Sequence, residues 1–286
     1  MKNRIHYAGL QYTNSRNIGD YIQSLAVEQF LPRISKRFER DDLRNIKNTG
    51  KTYVLVANGW FSHTPEQCFP FAPCIMPLFF GFHLTNWNHT CKYVQNKHVS
   101  DFLRKYSPIG CRDRFTENKL KELEIETFFS NCMTLSFPNR DYTPPKTKFL
   151  MVDIPNLNIP DYISRKSVFI THVFSEIYPE REKFASAKAL LDYYRKKVSA
   201  VVTTRLHCAL PCLAMGIPVI FIGNKNEPRF NSLTEVRVKI YHPAELSDHS
   251  NWDELFYSDF DFIESVKSKM IGCFKEQLLR IQSKIT

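Results

Sequence analysis

Glycine is scarce in this chain, at nine residues among 286, and none of them builds a glycine-rich phosphate loop. Neither G-x-G-x-x-G nor G-x-x-x-x-G-K-[ST] occurs in the sequence. No apolar run approaches the roughly 20 residues that a membrane-spanning helix requires. The first residues are too polar for a secretory signal peptide, so we expect a cytoplasmic protein.

Paired cysteine motifs are also missing, although the chain contains eight cysteines. Cys208 and Cys212 are one helical turn apart, and such a pair without a second pair is more typical of a core than of a zinc site. Because no secretory signal is expected, free thiols in a reducing compartment are the simplest interpretation. The sequence therefore predicts no metal site and no bound cofactor.

The net charge is +10, from 39 basic and 29 acidic residues. A basic balance favours an anionic partner, such as a nucleic acid, an anionic membrane surface or a phosphorylated small molecule. The lysines and arginines are spread along the chain, so we expect no nucleic-acid partner and mostly a solvated basic surface. Peripheral contact with the cytoplasmic face of a membrane stays open, and the sequence does not define the oligomeric state.

Short apolar runs alternate with helical patterns throughout the chain. Runs that are apolar on both faces and separated by helices predict parallel strands covered on each side, which is an α/β fold. A capping box, Asp20-x-x-Gln23, predicts a helix that begins near Asp20, and amphipathic helices are expected over 186–198 and 261–281. The predicted strands are 53–60, 74–84, 107–112, 148–154, 167–173, 199–204, 218–223 and 238–242.

The segment RDYTPPKTK, residues 140–148, is the expected domain boundary. Its two consecutive prolines exclude a helix and interrupt a central strand. The sequence therefore predicts two α/β domains, 1–142 and 147–286, with the last helix able to pack back on the first domain.

The triplet Arg205-Leu206-His207 follows the predicted strand 199–204, and a short helix is expected to begin near Cys208 with Pro211 in its first turn. The carboxyl ends of parallel strands are where ligands bind in open α/β sheets. A helix N-terminus, an arginine fork and an imidazole together suit an anionic substrate and a proton transfer. The alternative is structural: Arg205 pairs with a carboxylate at the domain interface and His207 caps the helix.

Three motifs occur in a fixed order: N-I-G-D at 17–20, G-C-R-D at 110–113 with Thr116 following, and V-V-T-T-R-L-H-x-A-L-P-x-L-A-x-G-I-P-V at 201–219. Together they resemble the polysaccharide pyruvyl transferase family, over nearly the whole chain. Cys111 and Thr116 stand where the family more often has Val or Ser, and the chain is short. These departures leave the acceptor sugar open.

The resemblance implies two Rossmann-like domains facing across a cleft, as in GT-B glycosyltransferases. It implies a ketal-forming transfer of pyruvate from phosphoenolpyruvate onto two hydroxyls of a glycan or lipid-linked glycan, in polysaccharide biosynthesis. Arg112 and Arg205 match family arginines and are expected to bind the donor from opposite domains. His207 is expected to be the general acid/base, with Leu206 packed inward.

Asn17, Gly19 and Asp20 match the N-x-G-D motif. The resemblance implies a turn at the cleft that contacts the acceptor or supports the donor site, with Gly19 permitting close backbone approach. An equally good alternative for Asp20 is a plain helix N-cap, and the two roles are compatible.

Five further residues are weaker candidates for substrate binding. Asn58 and Trp60 end one predicted strand and His83 ends the next, where an acceptor sugar would stack on the indole, although Trp60 as a core residue is the alternative. His172 and Arg229 follow two strands of the C-terminal domain.

Two other functions remain as alternatives. A GT-B glycosyltransferase would use the same interdomain cleft, with the Arg205 fork on the diphosphate of a nucleotide-sugar. A non-catalytic protein that binds anionic glycans or nucleic acid would keep its affinity when His207 is replaced and would lose it steeply with salt. The scattered charges argue against the second alternative.

Overall fold

A computed structural model describes residues 5–48, 50–142, 144 and 148–285. The chain forms two compact units. Unit 1 contains the described residues of Met1–Thr13, Gln23–Met133 and Lys269–Thr286, and unit 2 contains those of Asn14–Ile22 and Thr134–Ser268. The predicted boundary at 142–147 includes residues 143 and 145–147, which lie outside the described residues.

Unit 1 is built on a parallel sheet of six strands. They are β1 (His6–Gln11), β2 (Ile34–Glu39), β3 (Tyr53–Trp60), β4 (Ile75–His83), β5 (Ile109–Cys111) and β6 (Thr127–Phe129). Their order across the sheet is β2-β1-β3-β4-β5-β6. The sequence predicted β3, β4 and β5. It missed β2 and β6 because edge strands are short or partly polar, and β1 because its apolar run is brief and polar residues flank it.

Unit 2 is built on a parallel sheet of five strands, all of which the sequence predicted. They are β7 (Phe149–Val152), β8 (Ser167–Ile170), β9 (Ala200–Thr203), β10 (Val219–Ile222) and β11 (Ile240–Tyr241). Their order is β11-β10-β9-β7-β8, which places β9 at the centre. The prediction of an α/β protein with parallel sheets is therefore confirmed in both units.

Eleven α-helices lie among the described residues. They are α1 (Ile18–Glu28), α2 (Pro65–Cys68), α3 (Asn88–Val94), α4 (Lys97–Lys105), α5 (Arg114–Lys121), α6 (Asp161–Ser164), α7 (Glu180–Lys197), α8 (Leu206–Ala214), α9 (Asn231–Thr234), α10 (Pro243–Ser247) and α11 (Phe260–Ser283). Within the described ranges, none of these helices is both long and apolar enough to cross a lipid bilayer.

Each unit has its own hydrophobic core. In unit 1 the rings of Phe61, Phe69 and Phe82 are fully buried and in mutual contact, with centroids 5.5 to 6.2 Å apart. In unit 2 the core lies around β7, β9 and β10 and includes Val202 and the fully buried Trp252. Since both faces of each central strand are buried, the polar residues at the strand ends are held on rigid supports.

Candidate functional site

The triplet at 205–207 lies where β9 passes into α8. Arg205 is the N-cap of α8, and its backbone N–H donates to Thr203 Oγ1 at 2.9 Å. Leu206 is buried, as expected, and His207 is half-buried in the first helical turn. The prediction that α8 begins near Cys208 is wrong by two residues, so Pro211 is the sixth helical residue and lies outside the first turn.

Arg205 forms an ion pair with Asp153, which follows β7, the neighbour of β9. Arg205 Nε lies 2.7 Å from Asp153 Oδ2, and the arginine side chain is 38% exposed. Among the described residues, its two terminal nitrogens have no hydrogen-bond partner. The alternative is correct in predicting a carboxylate partner for Arg205, and that partner belongs to the same unit. The carboxylate fixes one edge of the guanidinium, and the other edge remains available for a planar anion.

Asp153 connects the turn between β9 and α8 to the neighbouring strand β7. Its backbone is in the left-handed region at a φ of 49°, and its carbonyl accepts from Thr204 Oγ1 at 2.8 Å. Burial opposes ionisation of the carboxyl, but hydrogen bonds from Thr171, the His172 backbone N–H and Arg205 outweigh it and lower the pKa of Asp153. The carboxylate is therefore ionised near neutral pH and holds Arg205 in one orientation.

His172 is hydrogen-bonded to the carboxylate of this ion pair. Its N–H donates to Asp153 Oδ2 at 2.9 Å, and its carbonyl accepts from Ile18 N at 3.0 Å, at the start of α1. The imidazole is buried and hydrogen-bonded to the Tyr194 hydroxyl. His172 therefore connects Asp153 to the start of α1 through hydrogen bonds. Its contact with substrate stays a prediction.

The N-I-G-D motif belongs to unit 2, and it forms the start of α1. Asn17 Oδ1 accepts from Gly19 N at 3.0 Å, so Asn17 caps the helix. Asp20 lies in the first turn, and its carboxylate accepts from Ser15 Oγ at 2.6 Å. The predicted capping box at Asp20 is wrong because the helix begins at Ile18, two residues earlier.

Gly19 places the N-I-G-D motif in close contact with the side chain of His207. A Cβ on Gly19 would lie 3.1 Å from His207 Nδ1 and 3.2 Å from His207 Cβ. Both distances are tighter than ordinary van der Waals contact, so only glycine fits without displacing the imidazole. Two motifs that are nearly 190 residues apart in sequence therefore meet within unit 2.

Replacing Gly19 with alanine tests this contact. Alanine is about 1 kcal/mol better than glycine within a helix, which offsets part of the crowding, so we expect a small change in Tm. Displacement of the imidazole should reduce turnover roughly tenfold, because misplaced catalytic groups lose rate steeply. Gly272→Ala is the matched control, since its Cβ would meet nothing within 4 Å. Equal turnover in the two variants would contradict the contact.

Lys183, on α7, contacts the segment at Ser15 that precedes α1. Its side chain is 0% exposed, with Nζ 2.6 Å from Glu180 Oε1 and 3.4 Å from the Ser15 carbonyl oxygen. The ammonium also lies 5.2 Å from the centre of the Tyr21 ring. A buried ammonium is tolerated only with such partners, so Lys183 links the segment at Ser15 to α7.

Arg112 follows β5 in unit 1. It is buried, and its Nη1 donates to Gln23 Oε1 at 3.0 Å. The next residue, Asp113, caps α5 and lies 2.5 Å from His83 Nδ1. Burial opposes ionisation of Asp113, but the hydrogen bond with His83 contributes most to lowering the pKa of that carboxyl. Arg112 and His83 are thus held in a buried polar cluster at the carboxyl edge of the sheet.

Asn58 and Trp60 lie at the end of β3, next to His83 on β4. Asn58 is buried, and its Nδ2 donates to the Gln23 carbonyl at 3.2 Å. Its amide oxygen lies where a Cβ on Gly81 would be, 2.1 Å away, so Gly81 is required there. Trp60 is partly exposed and is not a core residue. Its register partner on β4 is His83.

Arg229 lies apart from Arg205 in sequence, on a short 3-10 turn, Pro228–Phe230, that follows β10. It is exposed, and its Nε lies 3.4 Å from Glu227 Oε1. Its guanidinium also lies 5.2 Å from the centre of the Phe230 ring. The structure gives it no contact with Arg205 or His207, so its place in the site stays a prediction.

Residues 17–226, nearly three quarters of the chain, match the family profile described as polysaccharide pyruvyl transferase. The chain belongs to the polysaccharide pyruvyl transferase family. Membership indicates a transferase with a glycan acceptor. No curated protein is significantly similar to the chain.

A solved structure from Klebsiella pneumoniae subsp. pneumoniae NTUH-K2044, of a protein whose function is uncharacterized, is similar to this pyruvyl transferase family member. The two share 17% sequence identity, with 81% of this chain and 90% of that chain covered and a TM-score of 0.49. A similarity of this size does not bear on function.

Sequence reasoning missed three residues that organise this family member's site. Asp153 carried a usable signal, because an acidic residue directly after a buried strand lies at the edge where ligands bind. Lys183 and Ser15 carried none, since a lysine on an amphipathic helix and a serine in a polar loop are ordinary surface residues.

Proposed function

We propose that this protein transfers the pyruvyl group of phosphoenolpyruvate onto two hydroxyls of a glycan sugar and forms a cyclic ketal. The observation that carries the proposal is the contact of Gly19 with His207, two residues after Arg205, in unit 2 of a polysaccharide pyruvyl transferase family member. We propose a cytoplasmic site of action, on a free or lipid-linked glycan.

The donor carries a carboxylate and a phosphate, so its site needs directed cationic donors. Arg205 supplies a planar fork, oriented by Asp153 through Nε and open at its terminal nitrogens. The first turn of α8 adds backbone N–H groups and a partial positive charge. These features support binding of phosphoenolpyruvate at the end of β9. Arg112, in unit 1, is proposed as a second donor ligand on the family resemblance.

The chemistry requires one proton donor and two attacking hydroxyls. His207 gives a proton to the methylene carbon, which becomes a methyl group, while the first sugar hydroxyl attacks C2 and passes its proton to the imidazole. The C2–O bond to phosphate then breaks with its electron pair on phosphate, which takes that proton from the imidazolium. The second hydroxyl attacks C2, gives its proton to the imidazole and closes the ketal. The imidazole can give and later accept protons near neutral pH, which suits this sequence.

Release of inorganic phosphate from phosphoenolpyruvate, in the presence of a panel of glycosides, tests the proposal. We expect acceptor-dependent release that Arg205→Ala lowers by at least about a hundredfold, because the planar charged fork is lost. Arg165→Ala is the matched control, since Arg165 is an exposed arginine of the same unit. Turnover of a nucleotide-sugar, with no phosphate released from phosphoenolpyruvate, would instead identify a glycosyltransferase.

A further inference from the structure

Aromatic side chains gather at the carboxyl ends of β3 and β4 in unit 1. Trp60 and Trp87 meet edge to face, with ring centroids 5.4 Å apart and an interplanar angle of 80°. His89 stacks on Trp87 at 5.6 Å, and His63 lies 5.8 Å from Trp60. These four rings form one surface, which we call the aromatic platform.

The platform faces solvent. Trp87 is 43% exposed, and His63 and His89 are also exposed, whereas Trp252 of the unit 2 core is 0% exposed. An indole buries more apolar surface than almost any other side chain when it packs inward. An exposed indole whose ring contacts are with other partly exposed rings is therefore better suited to a ligand than to the core.

Two polar groups beside the platform lack partners. Trp60 Nε1 and Thr85 Oγ1 are buried atoms without a hydrogen-bond partner among the described residues. Leaving a buried polar group unsatisfied costs about 1–3 kcal/mol. Asn86, in the loop between β4 and α3, and Asn88, the first residue of α3, flank Trp87 in sequence and are both exposed. Flat rings, unpaired donors and acceptors and exposed amides therefore lie together.

The positive charge of Arg40, beside the platform, is paired with a carboxylate. Arg40 lies with its guanidinium 5.5 Å from the Trp60 ring centre, and it forms two hydrogen bonds with Asp41, at 2.9 and 2.8 Å. A strong anion therefore gains little here. A pyranose fits better, since its C–H face packs on an indole while its hydroxyls bond to amides and imidazoles.

We infer that the aromatic platform binds the acceptor glycan, with Trp87 stacking on one sugar ring. This inference rests on the proposed function for the identity of the ligand. It adds Trp87, His63 and His89 to the residues that the sequence had associated with the acceptor.

Replacing Trp87 with alanine should raise the KM for the acceptor about tenfold, equivalent to about 1.4 kcal/mol, and should leave the KM for phosphoenolpyruvate unchanged. Trp87→Phe retains an aromatic ring, so its KM for the acceptor should lie between those of the natural protein and Trp87→Ala. The fold should persist, because Trp87 is exposed and its side chain makes no capping hydrogen bond to α3. Tyr257→Ala is the control, since Tyr257 is an aromatic residue of unit 2 that is 80% exposed.

Tryptophan fluorescence gives a readout that does not depend on the reaction. Methyl glucoside, galactoside, mannoside and N-acetylglucosaminide are titrated without phosphoenolpyruvate, and we expect emission to change in the natural protein but not, at the same glycoside concentrations, in Trp87→Ala. A response in both proteins, in neither, or an unaltered acceptor KM in Trp87→Ala would overturn the inference. Glycoside binding at Trp87 without phosphate release from phosphoenolpyruvate would overturn the proposed reaction alone.

Discussion

Alanine in place of His207 is expected to lower turnover by about 10² to 10⁴-fold, the usual contribution of a general acid or base. The protein should stay folded, because the imidazole is only half-buried and alanine is favoured within α8. The measurement is the steady-state rate of phosphate release at saturating phosphoenolpyruvate, with circular dichroism as the check on folding.

His249→Ala is the matched control for this variant. His249 is an exposed histidine of the same unit, outside the proposed site, so its loss should change the rate by less than about twofold. If His207 has only a structural role, His207→Ala keeps its turnover and loses stability instead. That outcome would remove the general acid from the proposed mechanism.

Lys183→Met should destabilise the protein by about 3 kcal/mol, the lower end of the range for breaking a buried ion pair. The lower end applies because Glu180, the partner, is 23% exposed and can be solvated. Loss of the ammonium also frees the Ser15 carbonyl and loosens the segment that leads into the N-I-G-D motif, so turnover should fall as well. Urea denaturation measures the free energy of unfolding.

Two further variants show whether the loss of stability comes from the buried ion pair. Lys188→Met changes an exposed lysine on the same helix and should alter the free energy of unfolding by less than about 0.5 kcal/mol. The double variant Lys183→Met with Glu180→Gln removes both charges and should recover part of the loss. A Lys183→Met protein as stable as Lys188→Met would show that the buried pair does not stabilise this part of the fold.

The sequence was informative where the candidate functional residues lie in a segment with a clear strand or helix pattern. A β-branched run, a delimited helix and the Arg205–His207 triplet predicted a strand-end site, and the ordered motifs indicated the family that the profile match shows. Strands that are apolar on both faces were recognised because burial on two sides removes polar residues from them.

The sequence was uninformative where the structure depends on contacts between distant residues. The hydrogen bond from His172 to Asp153 and the approach of Gly19 to His207 join segments that nothing local connects. Helix starts were misplaced by two residues at Asp20 and Cys208, because helix ends depend on backbone geometry that residue type specifies only weakly. Trp87 was overlooked because its loop resembles any polar connection.

The most direct test of the pyruvyl transfer follows the carbon atoms of the donor. Phosphoenolpyruvate labelled with ¹³C at C2 is incubated with the protein and a glycoside that it binds, and the glycoside is examined by NMR. We expect a labelled quaternary ketal carbon on the sugar, bonded to a new methyl group and two sugar oxygens. Label found only in phosphoenolpyruvate or in free pyruvate would contradict this expectation.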